Sequence, residues 1–250
     1  LKHFSLSVSF CFWVEPVNHM TQTEPKLRLF YFDITGKGEP IRLALNHIGV
    51  AFEDVRVNKD DFMKMKESGA LQFGQVPALE VVVGDSPPQQ LVQTHAIMRY
   101  IGTLDKSGQL YPKDPFKAAR VDAVMDQLTD MVGPLLCSRY QERFGYSEVL
   151  GGPDGEGTKM VDDTLSGTII PGQLKNFEAM LASGEQWIGG TEKPSIADFV
   201  LAVGFDWCRE KQLKNGAAVF SNFPKVCAFI DRVYALPSVV EWAAKMQKSA

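Results

Sequence analysis

From Lys26 onward, short apolar runs alternate with turn residues, and beyond residue 116 the apolar positions recur only at helical spacing. The first stretch predicts a strand over Leu27 to Phe32, a turn, a helix from about Pro40 to Ile48 and a short strand over Phe52 to Val57. A strand, a helix and a second strand in that order imply two parallel strands joined by a crossover. The polar segment "NKDDFMKMKESGALQFG" reads as a loop with a short helix. It is followed by two strands, "PALEVVV" and "QQLV", whose connection "GDSPP" has turn chemistry. A helix then runs from His95 to about Leu104, with Ile97, Tyr100, Ile101 and Leu104 on one face.

This order is that of a thioredoxin-like half-domain with a mixed four-stranded sheet. Four regions follow: an extension over 1–24 expected to lie outside the fold, a thioredoxin-like unit over 25–105, a Gly- and Pro-containing linker over 106–115, and an all-α domain over 116–250. Residues 116–144 predict one long helix bent around Gly133-Pro134, apolar at Ala119, Val121, Val124, Met125, Leu128 and Met131. "GYSEVLGGPDGEGT" reads as a flexible break. Helices are then expected at roughly 159–182, 195–210, 223–235 and 237–247. Within "PSIADFVLAVGFDW", Ser195 and Asp198 have capping-box spacing ahead of a run that is apolar nearly all round, so this helix should lie at the centre of the α-domain.

Composition narrows the function. With 250 residues, 45% of them hydrophobic and 22% charged, the chain can bury a sizeable core. A formal net charge of -4 argues against a nucleic-acid surface, which needs clustered Lys and Arg. The four cysteines are scattered, without C-x-x-C or cysteine-histidine spacing, which excludes a metal motif and fits a reduced, intracellular protein. The apolar run "FSLSVSFCFWV" is too short to span a bilayer, and no small-residue cleavage site follows it.

Three stretches could carry chemistry. In "LFYFDITGKGEPIRLAL", Tyr31 ends a strand just before a glycine-containing turn, but the third position of G-x-G-x-x-G is filled by Ile41, so a dinucleotide fingerprint fails. In "FGQVPALE", a proline opening a strand needs no functional reason, and only about 5–6% of X-Pro bonds are cis. A cis bond before Pro77 would nevertheless turn the Val76 peptide groups toward a strand-like ligand. In "LVQTHAIMRY", Thr94 is a candidate N-cap. A helix N-terminus there, with the Gln93 amide, suits a ligand carboxylate. His47, inside the first helix, reads as a surface or satisfied core residue.

Together these stretches resemble the cytosolic glutathione S-transferases that use a tyrosine. "LFYF" with Glu39 and Arg42, "FGQVPALE" and "LVQTHAIMRYIG" occur in that family's order, and "VDAVMDQLTD", "QWIGG", "PSIADF" and "FPKVCAFIDRVYALPSVVEW" are similar to its helical domain. The resemblance covers about Pro25 to Met246 and suggests a sigma-, mu- or pi-like subclass. It implies that Tyr31 is the catalytic phenol, that Gln75, Val76 and Pro77 hold the middle of glutathione, and that Gln93 and Thr94 hold its γ-glutamyl end. Lys66 would take the glycyl carboxylate beside Phe62, which stands where many relatives have tryptophan. Asp130 would reach the γ-glutamyl amine bound to the other subunit, which makes a homodimer part of the expectation. The electrophile pocket is assigned to Ile34, Gly36 and Tyr140.

The chain departs from the family pattern at Thr35-Gly36-Lys37, where R-G-R is common, in a longer loop around Lys66, and in the glycine-rich stretch at 151–157. The resemblance implies a cytoplasmic enzyme that needs no cofactor, takes glutathione as co-substrate and conjugates it to small hydrophobic electrophiles in detoxification, with no nucleic-acid or membrane partner. The alternatives are a glutathione-dependent isomerase of the prostaglandin D synthase kind, peroxide reduction, or a non-catalytic crystallin-like or ligand-carrying relative. No cysteine lies near the first turn, so a cysteine-based thiol transferase is disfavoured.

Overall fold

A computed structural model describes residues 24–249 of the chain. The expected extension falls almost wholly on residues 1–23 and so lies outside the described residues. Four strands, β1 (Lys26–Phe32), β2 (Glu53–Val57), β3 (Ala78–Val82) and β4 (Gln89–Val92), form one sheet in the order β2-β1-β3-β4. The β1–β2 pair is parallel and the other two are antiparallel, so the sheet is mixed, as the element order requires. Helices α1 (Glu39–His47), α2 (Lys59–Glu67) and α3 (Thr94–Leu104) complete this unit.

The rest of the described chain is helical. It comprises α4 (Pro115–Arg139), α5 (Gln141–Phe144), α6 (Ser147–Leu150), α7 (Glu156–Thr164), α8 (Ile170–Ala182), α9 (Ile196–Trp207), α10 (Gly216–Phe220), α11 (Pro224–Tyr234) and α12 (Pro237–Ser249). The chain is thus a thioredoxin-like unit followed by an all-α domain. None of the described helices is long and apolar enough to cross a membrane.

Several boundaries differ from the pattern. The long helix runs through Pro134 and stops at Arg139, because Tyr140 leaves helical geometry at φ -114, ψ 49, and α5 is a separate turn. The expected break at 145–158 is instead ordered: α6 forms inside it, and Gly145, Gly151 and Gly152 take positive φ values of 75 to 78 that close its turns. Between α7 and α8 the helix widens over Leu165–Ile169. Pro171, the second residue of α8, has no N–H to continue a regular ladder. The five residues of α10 are too few to show a helical period, and the sequence pattern missed them.

As its composition predicts, α9 is buried along most of its length and packs against α1, α4 and α11. Its start is fixed by the Ser195–Asp198 capping box. Asp198 accepts the Ser195 N–H and hydroxyl, both at 2.7 Å, and the Ile188 N–H at 2.8 Å. Burial pushes its pKa up to about 6, which leaves it ionised at neutral pH. The core is continuous between the two units, and polar contacts cross the same boundary: His47 Nδ1 lies 3.0 Å from Ser238 Oγ, and Trp242 Nε1 donates to Glu39 at 3.0 Å. His47 is a satisfied interface residue. Replacing Asp198 with alanine would leave three donors buried without partners, and urea unfolding should show a loss of roughly 2–4 kcal/mol, against about 1 kcal/mol for Ser195→Ala.

Candidate active site

The strand period places Leu27, Leu29 and Tyr31 on the buried face of β1, with Tyr31 at its C-terminal end. Its ring is buried against the tight turn Gly36–Gly38. A Cβ at Gly36 would lie 2.6 Å from the Tyr31 hydroxyl, and one at Gly38 only 2.4 Å from the ring, so the chain can come this close only as glycine. Gly36 also sits at φ +45. The approach lets the Lys37 N–H donate to Tyr31 Oη at 2.9 Å. With its oxygen already accepting, the hydroxyl keeps its own proton to donate elsewhere.

Arg42 sits beneath the ring, 5.6 Å from its centroid, and is fully buried. It donates to Asp54 at 3.1 Å, Glu39 at 3.1 Å, the Ile34 carbonyl at 2.8 Å and the Phe32 carbonyl at 3.3 Å. The guanidinium therefore ties α1 and β2 to the backbone that leaves β1 immediately after Tyr31. Sequence reasoning noted the E-x-x-R spacing of Glu39 and Arg42 but missed this positioning role. The available signal was the i, i+3 pair on one helix together with an aspartate in the adjacent strand.

Burial raises the Tyr31 pKa, and the Lys37 N–H and the Arg42 charge pull less strongly the other way. The phenol thus stays protonated at neutral pH. Tyr140, at the end of α4, is close enough to Tyr31 to add to the upward shift. Lys37 keeps solvent contact, but crowding by neighbouring atoms and the charge of Arg143 lower its pKa.

The other predicted residues fall in two groups. Thr94 meets the turn, its hydroxyl donating to the Lys37 carbonyl at 3.3 Å, and it is the first residue of α3 rather than its cap. The cap position belongs to Gln93, which has φ 73 and ψ 119, a conformation that non-glycine residues rarely adopt. Val76 and Phe62 join a small cluster with Leu71, Ala78 and Val92, and the Val76–Pro77 bond is cis. Phe62 meets Phe32 edge to face at 5.2 Å. The stem of the exposed Lys66 runs beside Gly74, the residue that precedes Gln75 in the chain. Ile34 is exposed just past the end of β1. Asp130 is exposed on α4, and among the described residues no contact joins it to Tyr31 within one chain. No group of three or more His, Cys, Asp or Glu side chains among the described residues could hold a metal ion.

Residues 27–103 match the family model for the glutathione S-transferase N-terminal domain, and residues 144–246 match that for the C-terminal domain. Glutathione S-transferase 1 of Ascaris suum is 32% identical over 230 residues, spanning 90% of this chain and 98% of that protein. Hematopoietic prostaglandin D synthase of Gallus gallus is 28% identical over 228 residues, 90% of this chain and 99% of the relative. The crystal structure of the glutathione S-transferase from Ascaris lumbricoides aligns with a TM-score of 0.66 at 26% identity, covering 88% of this chain and 97% of that one.

Two stability measurements test the geometry. Arg42→Met removes the cation from two carboxylates that are only 14% exposed, and chemical denaturation should show a loss of about 3–5 kcal/mol. Gln93→Gly relieves an unfavourable backbone conformation and should raise stability by about 1 kcal/mol; an unchanged or lowered midpoint would contradict the strain.

Proposed function

Because the chain belongs to the glutathione S-transferase family, we propose that it transfers glutathione to small hydrophobic electrophiles, with the Tyr31 hydroxyl stabilising the glutathione thiolate. The observation that carries this reading is the buried phenol, whose oxygen accepts the Lys37 N–H and whose proton remains available. A free thiol with a pKa near 8.5 is mostly protonated at neutral pH, whereas the thiolate is the nucleophile. A hydrogen bond to a charged sulfur is worth roughly 1.5–3 kcal/mol, a shift of roughly one to two pKa units. Tyr31 is then a donor, neither base nor nucleophile, and its raised pKa keeps it in that role.

In this reading glutathione lies across the sheet edge, with its cysteinyl backbone at Gln75, Val76 and Pro77. Its γ-glutamyl end meets Gln93 and Thr94, where the threonine hydroxyl exchanges its long bond to Lys37 for the ligand. Lys66 takes the glycyl carboxylate beside Phe62. Asp130 acts on glutathione bound to a second copy, so the working form is a homodimer. Ile34, Gly36 and Tyr140 border the electrophile. No cofactor is required, and the setting is cytoplasmic detoxification. The similarity to a prostaglandin D synthase over nearly its full length keeps a glutathione-dependent isomerase as the second reading.

Conjugation of glutathione to chlorodinitrobenzene tests the first reading. Tyr31→Phe should bind glutathione normally while kcat falls about ten- to hundredfold and the pKa of the bound thiol rises by roughly one to two units. The wild-type rate should show no alkaline loss from tyrosine ionisation within the ordinary phenol range. Wild type that binds glutathione without conjugating it would favour the isomerase. Asp130→Ala should raise KM for glutathione and leave kcat near that of wild type; an unaltered KM would remove the cross-subunit role.

A further inference from the structure

The last helix carries two large side chains four residues apart, Trp242 and Met246, which a helix places on one face. Both are half-buried, whereas Glu241, Ala243, Ala244 and Lys245 around them are exposed. That face is turned toward the polar cluster behind Tyr31. Trp242 Nε1 donates to Glu39 Oε1 at 3.0 Å, and the other oxygen of the same carboxylate accepts from Arg42 Nη1 at 3.1 Å. The indole also packs against Phe52, with 5.9 Å between ring centroids, two residues before Asp54. One turn further along α12, Met246 Sδ accepts from Arg56 Nη2 at 3.5 Å, and Arg56 in turn binds Asp54 at 2.6 Å and Asp33 at 3.0 Å. Both carboxylates that hold Arg42 are therefore tied to α12, Glu39 directly and Asp54 through Arg56.

What Arg42 holds is the chain that leaves β1. Its Nη1 is shared between Glu39 and the Ile34 carbonyl, and its Nη2 takes the Phe32 carbonyl, so the residues on either side of Asp33 are fixed by the same guanidinium. Tyr31 immediately precedes them, and its ring lies 5.6 Å from that guanidinium. The connection from α12 to the phenol thus runs through Trp242, Glu39 and Arg42, each step a hydrogen bond or a ring contact.

We propose that Trp242 is a positioning residue for the reaction: through Glu39 and Arg42 it fixes the backbone that leaves β1, and so holds the Tyr31 hydroxyl where it meets the glutathione sulfur. The inference rests on the transferase reading and adds a residue of the other domain to it. A carboxylate as buried as Glu39 needs a donor on each oxygen. Without the indole N–H it turns toward water, its hold on Arg42 slackens, and the phenol loses its exact place.

The test is Trp242→Phe, which keeps a ring against Phe52 and removes the N–H. Its control is Ser238→Ala, which removes the contact with His47 between the same two helices at the opposite end of α1. Each variant loses one polar contact across the interface, so each should lower stability modestly. Only Trp242→Phe should raise the pKa of the bound glutathione thiol, by roughly half to one unit, with KM for glutathione unaltered. Measured with chlorodinitrobenzene below that pKa, kcat should fall roughly three- to tenfold, the matching loss of thiolate, and should recover at alkaline pH. Glu39→Gln should give the same shift, and the double variant should add nothing to it, because both act through one contact. An unaltered thiol pKa in Trp242→Phe overturns the inference, as does an equal rise in Ser238→Ala or an additive double variant. A wild type that forms no thiolate and conjugates nothing removes the transferase reading and this inference with it. Ordinary wild-type turnover with an unaltered thiol pKa in Trp242→Phe removes this inference alone.

Discussion

The buried Arg42 guanidinium is the constraint around which the site is arranged. A cation with no solvent contact is tolerable only where carboxylates and carbonyls surround it, and here Asp54, Glu39, Ile34 and Phe32 supply them. Each partner belongs to a segment that must be placed for the site to exist. Ile34 and Phe32 are the chain leaving β1, Glu39 opens α1, and Asp54 lies in the neighbouring parallel strand. Asp54 also binds Arg56, and Glu39 also takes the Trp242 N–H of α12, so the same cluster reaches the last helix.

This arrangement explains why the thioredoxin-like unit and the helical domain share one core. A helix that crosses over between β1 and β2 has two faces. Most of α1 is buried, with Ile41, Leu43, Ala44 and Leu45 in the core, and it packs against α3, α9 and α12. The central helix α9 could therefore be as apolar as a core helix of a larger protein. Its polar start is satisfied internally by Asp198.

Much of this was legible from residue order. The alternation of β1, the Pro at the head of β3, the apolar run of α9 and its capping box each carry a strong local signal, and all four appear where that signal puts them. The phenol was legible as a candidate because a tyrosine at the end of a core-facing strand, before glycines, is unusual. What was not legible depends on contacts between distant segments. The stretch 145–158 looked like a flexible break, because glycine-rich composition is the same whether the glycines permit motion or close approach, yet its Thr158 donates to Gly152 and accepts from the buried Gln141. Thr94 looked like a cap, yet the unusual backbone of Gln93 moved that position back by one residue.

The hydrogen bond from residue 37 to the phenol comes from the main chain, and that changes what selection can act on. A side-chain donor would tie the site to one or two amino acids. A peptide N–H is supplied by every residue except proline, so the identity of position 37 is released from the task of orienting Tyr31. The protein can exchange the charge, length and shape of that side chain to suit whatever reaches the mouth of the site, while the oxygen behind it stays anchored.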